Sequence, residues 1–305
     1  EFNNSLVSIE ADFLALNSVL MNLDLLITPD TAIKHIADLC KTPSIEISLG
    51  EAPLFKQGTI NSRSVIITPR VDTREFSKLA IEKSLELQSQ NLLITHQDIF
   101  ALVEYILNDK EILDHEFHSN VSVYKPYNDI LGSRLKLIQG TVCAEAEIER
   151  ITSRLFIMKK LLSREDEQLY HELTSFGSHQ LQNWLELTKE EITDISKYIL
   201  GTLRSVLQID GSKERTKSFV SQLTQLCSFC ESDSQFMRIA ALRFRARLEA
   251  VNTSDLLGSA KEVEGLLYEL KSDIQHQVDI VKSAQEYIRK SKTTSSSISV
   301  KESQL

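Results

Sequence analysis

Glycine is scarce in this chain, with nine glycines among 305 residues. Phosphate-binding loops need glycines at fixed spacings, because bare backbone N–H groups must wrap the phosphate. Neither G-x-x-x-x-G-K-[ST] nor G-x-G-x-x-G occurs, and Gly211-Ser212-Lys213 lacks the partner glycine. G-x-S-x-G and H-E-x-x-H are absent as well. The sequence therefore predicts no catalytic residue, no cofactor and no small-molecule substrate, and a protein that is not an enzyme.

Cysteine is equally sparse. The chain has four, at Cys40, Cys143, Cys227 and Cys230. That is too few for a disulfide framework and favours a reducing compartment, here the cytoplasm. Cys227 and Cys230 form C-x-x-C, but structural zinc needs four ligands and no second pair exists. Because neighbouring apolar residues follow helical spacing, we interpret both thiols as core residues.

A second candidate for metal binding is the pair His115 and His118, three residues apart in Asp114-His115-Glu116-Phe117-His118. On a helix the two imidazoles would share a face and could hold one ion together. The sequence assigns no third ligand. We interpret the segment as a polar helix end and predict no metal.

Positive charge is in deficit, with 34 basic against 43 acidic residues and a net charge of -9. The long-range field would repel nucleic acid and anionic lipid, so neither is expected as a partner. No run of about 18 apolar residues is present, and no basic start precedes an apolar stretch, so we expect neither a membrane span nor a secretory signal. A basic cluster contains Arg238, Arg243, Arg245 and Arg247. We interpret it as a solvated helix face with ion pairs to neighbouring helices.

Proline is absent from residues 127–305, since all five prolines lie at positions 29, 43, 53, 69 and 126. Proline destabilises a helix interior by about 3 kcal/mol, so this length suits sustained helices. Apolar residues there recur at steps of three and four, which predicts about six helices over 130–292 in an antiparallel bundle. The last stripe runs from Leu256 to Ile274, slips in register, and resumes at Val278. The Ser- and Thr-rich segment 293–305 is predicted to be disordered.

Start and stop signals divide this region further. Three pairs are candidate helix caps: Ser163 with Asp166, Thr188 with Glu191, and Ser232 with Gln235. Asp210-Gly211-Ser212 is typical of a turn.

The N-terminal part, 1–125, combines helices with a more extended segment. An apolar helix is predicted over Ser5–Leu23. Thr28-Pro29-Asp30 predicts a second, with Thr28 as its cap and its end near Cys40. Within Pro43–Arg70 two short strands are predicted, which would form a β-hairpin: Ile45–Leu49 and Val65–Ile67. Two helices should follow, over 73–89 and 96–108.

An internal repeat also marks this part. Leu25-Leu26-Ile27-Thr28 recurs as Leu92-Leu93-Ile94-Thr95, and in both copies the tetrapeptide is predicted to follow one helix and open the next. A duplicated all-helical unit is therefore predicted. The fold class that follows is mainly α: a docking module over 1–125 with a short hairpin, a helical bundle over 126–292, and the tail 293–305.

The repeat, with Thr68-Pro69-Arg70 before Phe76–Glu86 and Ile94-Thr95 through Leu107, resembles the N-terminal repeat domain of Clp-type protein unfoldases. The resemblance covers about 5–118, and no ATPase module follows it. It implies a pseudo-duplicated helical module without catalytic activity that docks adaptor or client proteins.

Five residues are candidates for partner binding. The last long helix, about Ser254–Lys290, is predicted to project past shorter neighbours and to expose Val278, Val281 and Ile288. Trp184, the single tryptophan, is either core or an interface anchor. Phe100 lies in the docking module.

The function predicted is protein–protein contact, with protein partners that include a second copy of the chain. Two alternatives stay open. One is a structural coiled-coil assembly protein. The other is a nucleic-acid-associated protein, in which Asp30–Arg70 forms a winged helix and the two extended pieces form its wing.

Overall fold

The computed structural model divides the chain into two units, Glu1–Cys143 and Ala144–Leu305, here called the N-terminal and the C-terminal unit. It describes residues 10, 12–49, 58–69, 93–108, 112, 115–119, 121–140, 144–231, 238–251 and 255–302, with side chains up to 291. Helices predominate, as predicted, but a five-stranded sheet accompanies them. The predicted boundary at 125/126 falls inside a strand of that sheet, so the division comes later in the chain.

The N-terminal unit alternates helices and strands. Its described elements are α1 (Phe13–Met21), β1 (Leu26–Pro29), α2 (Ala32–Cys40), β2 (Ser44–Ile47), β3 (Val65–Pro69), α3 (His96–Asn108), β4 (Val121–Asp129) and β5 (Gly132–Gln139). The strands lie in the order β1-β2-β3-β4-β5. β1, β2 and β3 are parallel, whereas β4 and β5 are antiparallel to their neighbours.

Both predicted strands are present, but the prediction that they form a hairpin was wrong. Ile45 of β2 pairs in parallel with Val65 of β3. Every residue of β3 is buried, as expected of an inner strand that is covered on both faces. A wing is an antiparallel hairpin, so the winged-helix interpretation of this segment is also wrong.

The duplicated all-helical unit is not what the described residues form. Leu26–Thr28 lies in β1, whereas Leu93–Thr95 lies in a turn before α3. Thr28 is therefore in a strand and caps no helix, and the N-cap of α2 is Thr31. Proline is tolerated at Pro29 because β1 is an edge strand.

Two other predicted helix boundaries agree with the structure. α3 spans His96–Asn108, as predicted. Thr95 and Asp98 cap its start reciprocally: the Asp98 N–H donates to Thr95 Oγ1 (3.2 Å) and the Thr95 N–H to Asp98 Oδ2 (2.7 Å). α2 ends at Cys40, as predicted. The helix predicted over 73–89 lies outside the described residues.

In its described part the C-terminal unit has the six helices that the proline-free pattern predicts. They are α4 (Ala144–Leu162), α5 (Glu167–Ser175), α6 (Gly177–Leu207), α7 (Lys213–Glu231), α8 (Arg238–Leu248) and α9 (Leu256–Glu302). One hydrophobic core joins all six. Contacts of Phe156 with His276 and of Lys160 with Asp273 show that α4 and α9 run antiparallel. None of the described helices is long and apolar enough to cross a bilayer.

The predicted caps had mixed outcomes. Asp166 is the N-cap of α5 and accepts the Leu169 N–H at 2.9 Å. The Asp210–Ser212 turn is confirmed, with Gly211 at φ +84°. Thr188 lies inside the 31-residue α6 and starts no helix. Its buried hydroxyl donates to the Trp184 carbonyl oxygen at 3.0 Å. The third pair, at 232–235, lies outside the described residues.

α9 is described up to Glu302, which lies past position 293, where the predicted disordered tail begins. No proline or glycine follows Gly265, so this stretch contains no strong helix breaker.

Candidate functional site

A buried ion pair fixes α2 against the sheet of the N-terminal unit. The Lys34 side chain is fully buried, and its Nζ lies 2.9 Å from Glu46 Oε1 of β2. Lys34 also pairs with Asp30, one turn before it. The second oxygen of Glu46 accepts the Thr59 N–H at 2.7 Å. Burial raises the pKa of Glu46 although Lys34 opposes that shift. These charges satisfy one another, so the cluster positions α2.

A second carboxylate ties α2 to the segment before β3. Asp38 accepts the backbone N–H groups of Ile60 at 3.0 Å and Asn61 at 3.3 Å, and the Thr59 hydroxyl. The Asn61 amide donates to the Thr42 carbonyl oxygen at 2.9 Å. α2 is thus held by charged groups at two points one turn apart on the same face. Sequence reasoning missed both anchors, and the signal was the pair Lys34 and Asp38 at this spacing in a short helix.

α1 packs on the helix that these anchors hold. Leu20 of α1 and Ile36 and Ala37 of α2 form a small buried cluster. The Cys40 thiol donates to Asn17 Oδ1 at 2.8 Å, and the Thr42 hydroxyl donates to the Leu20 carbonyl oxygen at 2.7 Å. The two helices therefore form one supported layer.

The outer surface of this layer carries several large apolar side chains. Four of them are more than 60% exposed: Phe13 (71%), Leu14 (82%), Met21 (65%) and Leu39 (83%). We call these four residues the α1–α2 face. A single exposed apolar residue is ordinary, but several on two contacting helices are typical of an interaction site. The sequence predicted docking in this part of the chain without naming these residues.

Of the five residues predicted to bind a partner, four are buried. Val278 is 8% exposed, Val281 0%, Ile288 8% and Trp184 0%. All four belong to the core of the C-terminal unit, so the prediction that the last helix exposes Val278, Val281 and Ile288 was wrong. The neighbouring helix α6 has 31 residues and packs along this part of α9, where Gln285 donates to Gln182 and Ser178. Phe100 on α3 is accessible, at 60% exposure.

The cysteine pair behaves as interpreted. Cys227 and Cys230 are half-buried on α7 and pack against the bundle core. Burial raises the pKa of both thiols, and that of Cys230 to about 12. A raised pKa disfavours the thiolate that metal binding and redox exchange require.

The histidine pair contributes to no metal site that the structure describes. His115 Nε2 lies 2.6 Å from Asp98 Oδ1, which links the segment after α3 to the start of that helix. Within the described ranges no group of three His, Cys, Asp or Glu side chains could hold a metal ion.

The basic cluster forms the ion pairs that were predicted for it. Arg243 pairs with Asp273 and lies 3.5 Å from Glu269, both on α9. Arg247 also pairs with Glu269. Arg245 lies 3.2 Å from Glu231 of α7. These guanidinium groups join α8 to its neighbours.

No family model, no curated protein and no solved structure matches the chain.

Proposed function

We propose that the protein is a non-enzymatic protein-binding module of the cytoplasm, and that the α1–α2 face is its docking surface. The observation that carries the proposal is the exposure of Phe13, Leu14, Met21 and Leu39 on two helices in contact. Burying apolar area of this kind against a partner is favourable by roughly 25 cal/mol per Å².

The support beneath this face favours binding as well. Lys34 and Asp38 hold α2 through paired charges and hydrogen bonds. A surface that is already rigid loses less conformational entropy when it binds. A client or adaptor protein is the partner that the resemblance to the N-terminal repeat domain of Clp-type unfoldases implies, but the described residues do not form its duplicated helical unit, so the exposed apolar residues alone support the proposal.

Self-association is the second candidate, because the α1–α2 face of one copy could cover that of another. The structural-assembly alternative therefore uses the same four residues, now in a two-fold contact. The exposed Phe100 is a further candidate contact in either case.

The test uses the full chain and two double variants. Leu14→Ser with Leu39→Ser removes half of the face. Leu207→Ser with Leu257→Ser is the matched control, because both leucines are more than half exposed in the C-terminal unit. Substitutions at such exposed sites should change stability by only about 0.5 kcal/mol, which melting curves would verify.

Sedimentation velocity would report self-association, and quantitative affinity purification with mass spectrometry would report other partners. We expect a partner or a dimer that the control variant retains and the face variant loses. Identical profiles for the wild type and the face variant would refute the α1–α2 face as the docking surface.

A further inference from the structure

A cleft of about 1010 Å³ opens in the C-terminal unit between α4, α5 and α9. Small-molecule sites commonly have about 300–1,000 Å³, so the cleft is large enough for an organic ligand. Glu167, Tyr170 and Thr174 line it from α5, at steps of three and four residues. His276, Ile280, Ser283 and Tyr287 line it from α9 at the same steps, with Asp279 beside Ile280. Both helices therefore turn one face to the cleft.

Two tyrosine rings form a corner within the cleft. The ring centroids of Tyr170 and Tyr287 are 6.3 Å apart, and the ring planes meet at 74°. Burial raises the pKa of Tyr170, and the charges of Tyr287 and Glu286 add to that effect. The Tyr170 hydroxyl is therefore neutral at physiological pH. The ring faces carry partial negative charge that attracts a cation within about 6 Å.

The ionisable groups of the cleft are mainly acidic. Four carboxylates line it, against the cationic side chains of Lys159 and Arg164. Lys159 Nζ lies 4.0 Å from Glu165 Oε1, so these two charges partly offset each other, and three carboxylates remain against Arg164. Desolvation and the nearby lysines Lys159 and Lys160 lower the pKa of His276, which keeps that imidazole neutral. The balance favours a positively charged ligand over an anion.

One buried polar atom beside the cleft lacks a partner. His276 Nε2 is buried without a hydrogen bond to any described residue, and His276 lines the cleft. Buried polar atoms are normally bonded, so an orphaned one at a cavity wall is typical of a site that is completed by a ligand or water.

We propose that this cleft binds a small organic cation, such as a substituted ammonium, with Tyr170 and Tyr287 against the charge and Glu167 and Asp279 as its counter-charges. The apolar parts of the ligand would contact Ile280. This site lies in the other unit from the α1–α2 face and takes a different class of ligand, so it stands independently of the docking proposal.

The probes are choline, its neutral isostere 3,3-dimethylbutan-1-ol, and inorganic phosphate, each titrated into the full-length protein and followed by two-dimensional NMR. We expect saturable shifts with choline and at least about tenfold weaker binding of the neutral alcohol, because only choline gains the cation–aromatic attraction. Equal binding of both would show an apolar cleft, and phosphate binding in place of choline an anion site. Either result, or no saturable binding of choline, overturns the proposal.

A matched pair of variants on α9 locates the site. Tyr287 and Tyr268 are exposed to similar extents, 57% and 53%, but Tyr268 does not line the cleft. Tyr287→Ala should weaken choline binding about three- to thirty-fold, whereas Tyr268→Ala should not change it. Tyr287→Phe keeps the ring and should restore most of the affinity. If Tyr287→Ala binds choline as the wild type does, the cation lies elsewhere and the proposal fails.

Discussion

Two glutamines on α9 should respond oppositely to the same substitution. Gln277 is completely buried, and neither of its amide atoms has a hydrogen-bond partner among the described residues. Gln285, two turns later, is also buried, but its Nε2 donates to Gln182 Oε1 at 2.8 Å and to the Ser178 carbonyl oxygen at 3.4 Å. We predict that Gln277→Leu stabilises the C-terminal unit and that Gln285→Leu destabilises it.

The expected magnitudes follow from hydrogen bonding. A buried polar group without a partner destabilises a fold by about 1–3 kcal/mol, so replacing the Gln277 amide with a side chain of similar volume should recover about that amount. Removing the bonds of Gln285 should destabilise the fold by about 0.5–1.5 kcal/mol. For a unit of this size, 1 kcal/mol shifts the melting temperature by about 2–4 °C.

The assay is thermal and chemical unfolding of the full-length protein, followed by tryptophan fluorescence. Trp184 is the single tryptophan and lies fully buried in the same core, so the signal reports this unit alone. A Gln277→Leu variant that melts below the wild type would refute the reasoning, because the amide would then be shown to have a bonding partner, such as buried water. A matched loss in both glutamine variants would have the same meaning.

Three further predictions concern buried charge. Burial raises the pKa of Glu191 from 4.5 to about 7, so its ionised form destabilises the fold as the pH rises through 7. Glu191→Gln should therefore raise the free energy of unfolding at pH 8 by on the order of 1 kcal/mol and leave it unchanged at pH 4. Glu190→Gln, at the exposed neighbouring position, is the control. Equal shifts of the Glu191→Gln variant at both pH values would contradict this prediction. Val281→Asp should destabilise the C-terminal unit by about 4 kcal/mol or more, measured by fluorescence, because Val281 is buried. Lys282→Asp at the next position should be nearly neutral. A Val281→Asp variant as stable as the wild type would support the interpretation that this part of the helix is exposed. Lys34→Met should destabilise the N-terminal unit by about 3–5 kcal/mol, because the Glu46 carboxylate stays buried without its partner. Denaturant titrations followed by circular dichroism would measure this loss. Adding Glu46→Leu should recover much of the lost stability.

The helices of the C-terminal unit were predictable because local spacing encodes them. Absence of proline and apolar steps of three and four are properties of neighbouring residues, and a helix is stabilised by contacts within the same range. The slip predicted after Ile274 shows the limit of this reasoning. The structure continues the stripe through Gln277, Val281, Ala284 and Ile288. A search for apolar residues misses a core position that a glutamine occupies.

The sheet was not predictable in the same way. The sequence located β2 and β3 but paired them as a hairpin, because turn signals report neighbouring segments. The parallel pairing of β1 with β2 and of β2 with β3 depends on partners about 20 residues apart, such as Ile45 with Val65, and no local signal carries that separation. β4 and β5 lie in a segment that was assigned partly to the bundle. The first residue of β5 after their hairpin turn, Gly132, has φ +99°, a conformation that glycine adopts readily.

The α1–α2 face depends on both kinds of information, so the sequence could not name its residues. The exposed apolar residues of α1 and α2 are visible in the sequence, but so are the buried ones, and the pattern alone does not separate Leu14 from Leu20. Which residues of α1 are buried depends on the position of α2. The ion pair of Lys34 with Glu46 and the hydrogen bond from the Ile60 N–H to Asp38 hold α2 in that position. If these charged anchors orient α2, then Lys34→Met should disturb docking at the α1–α2 face without changing a residue of that face. The double variant with Glu46→Leu should restore the fold and the docking together.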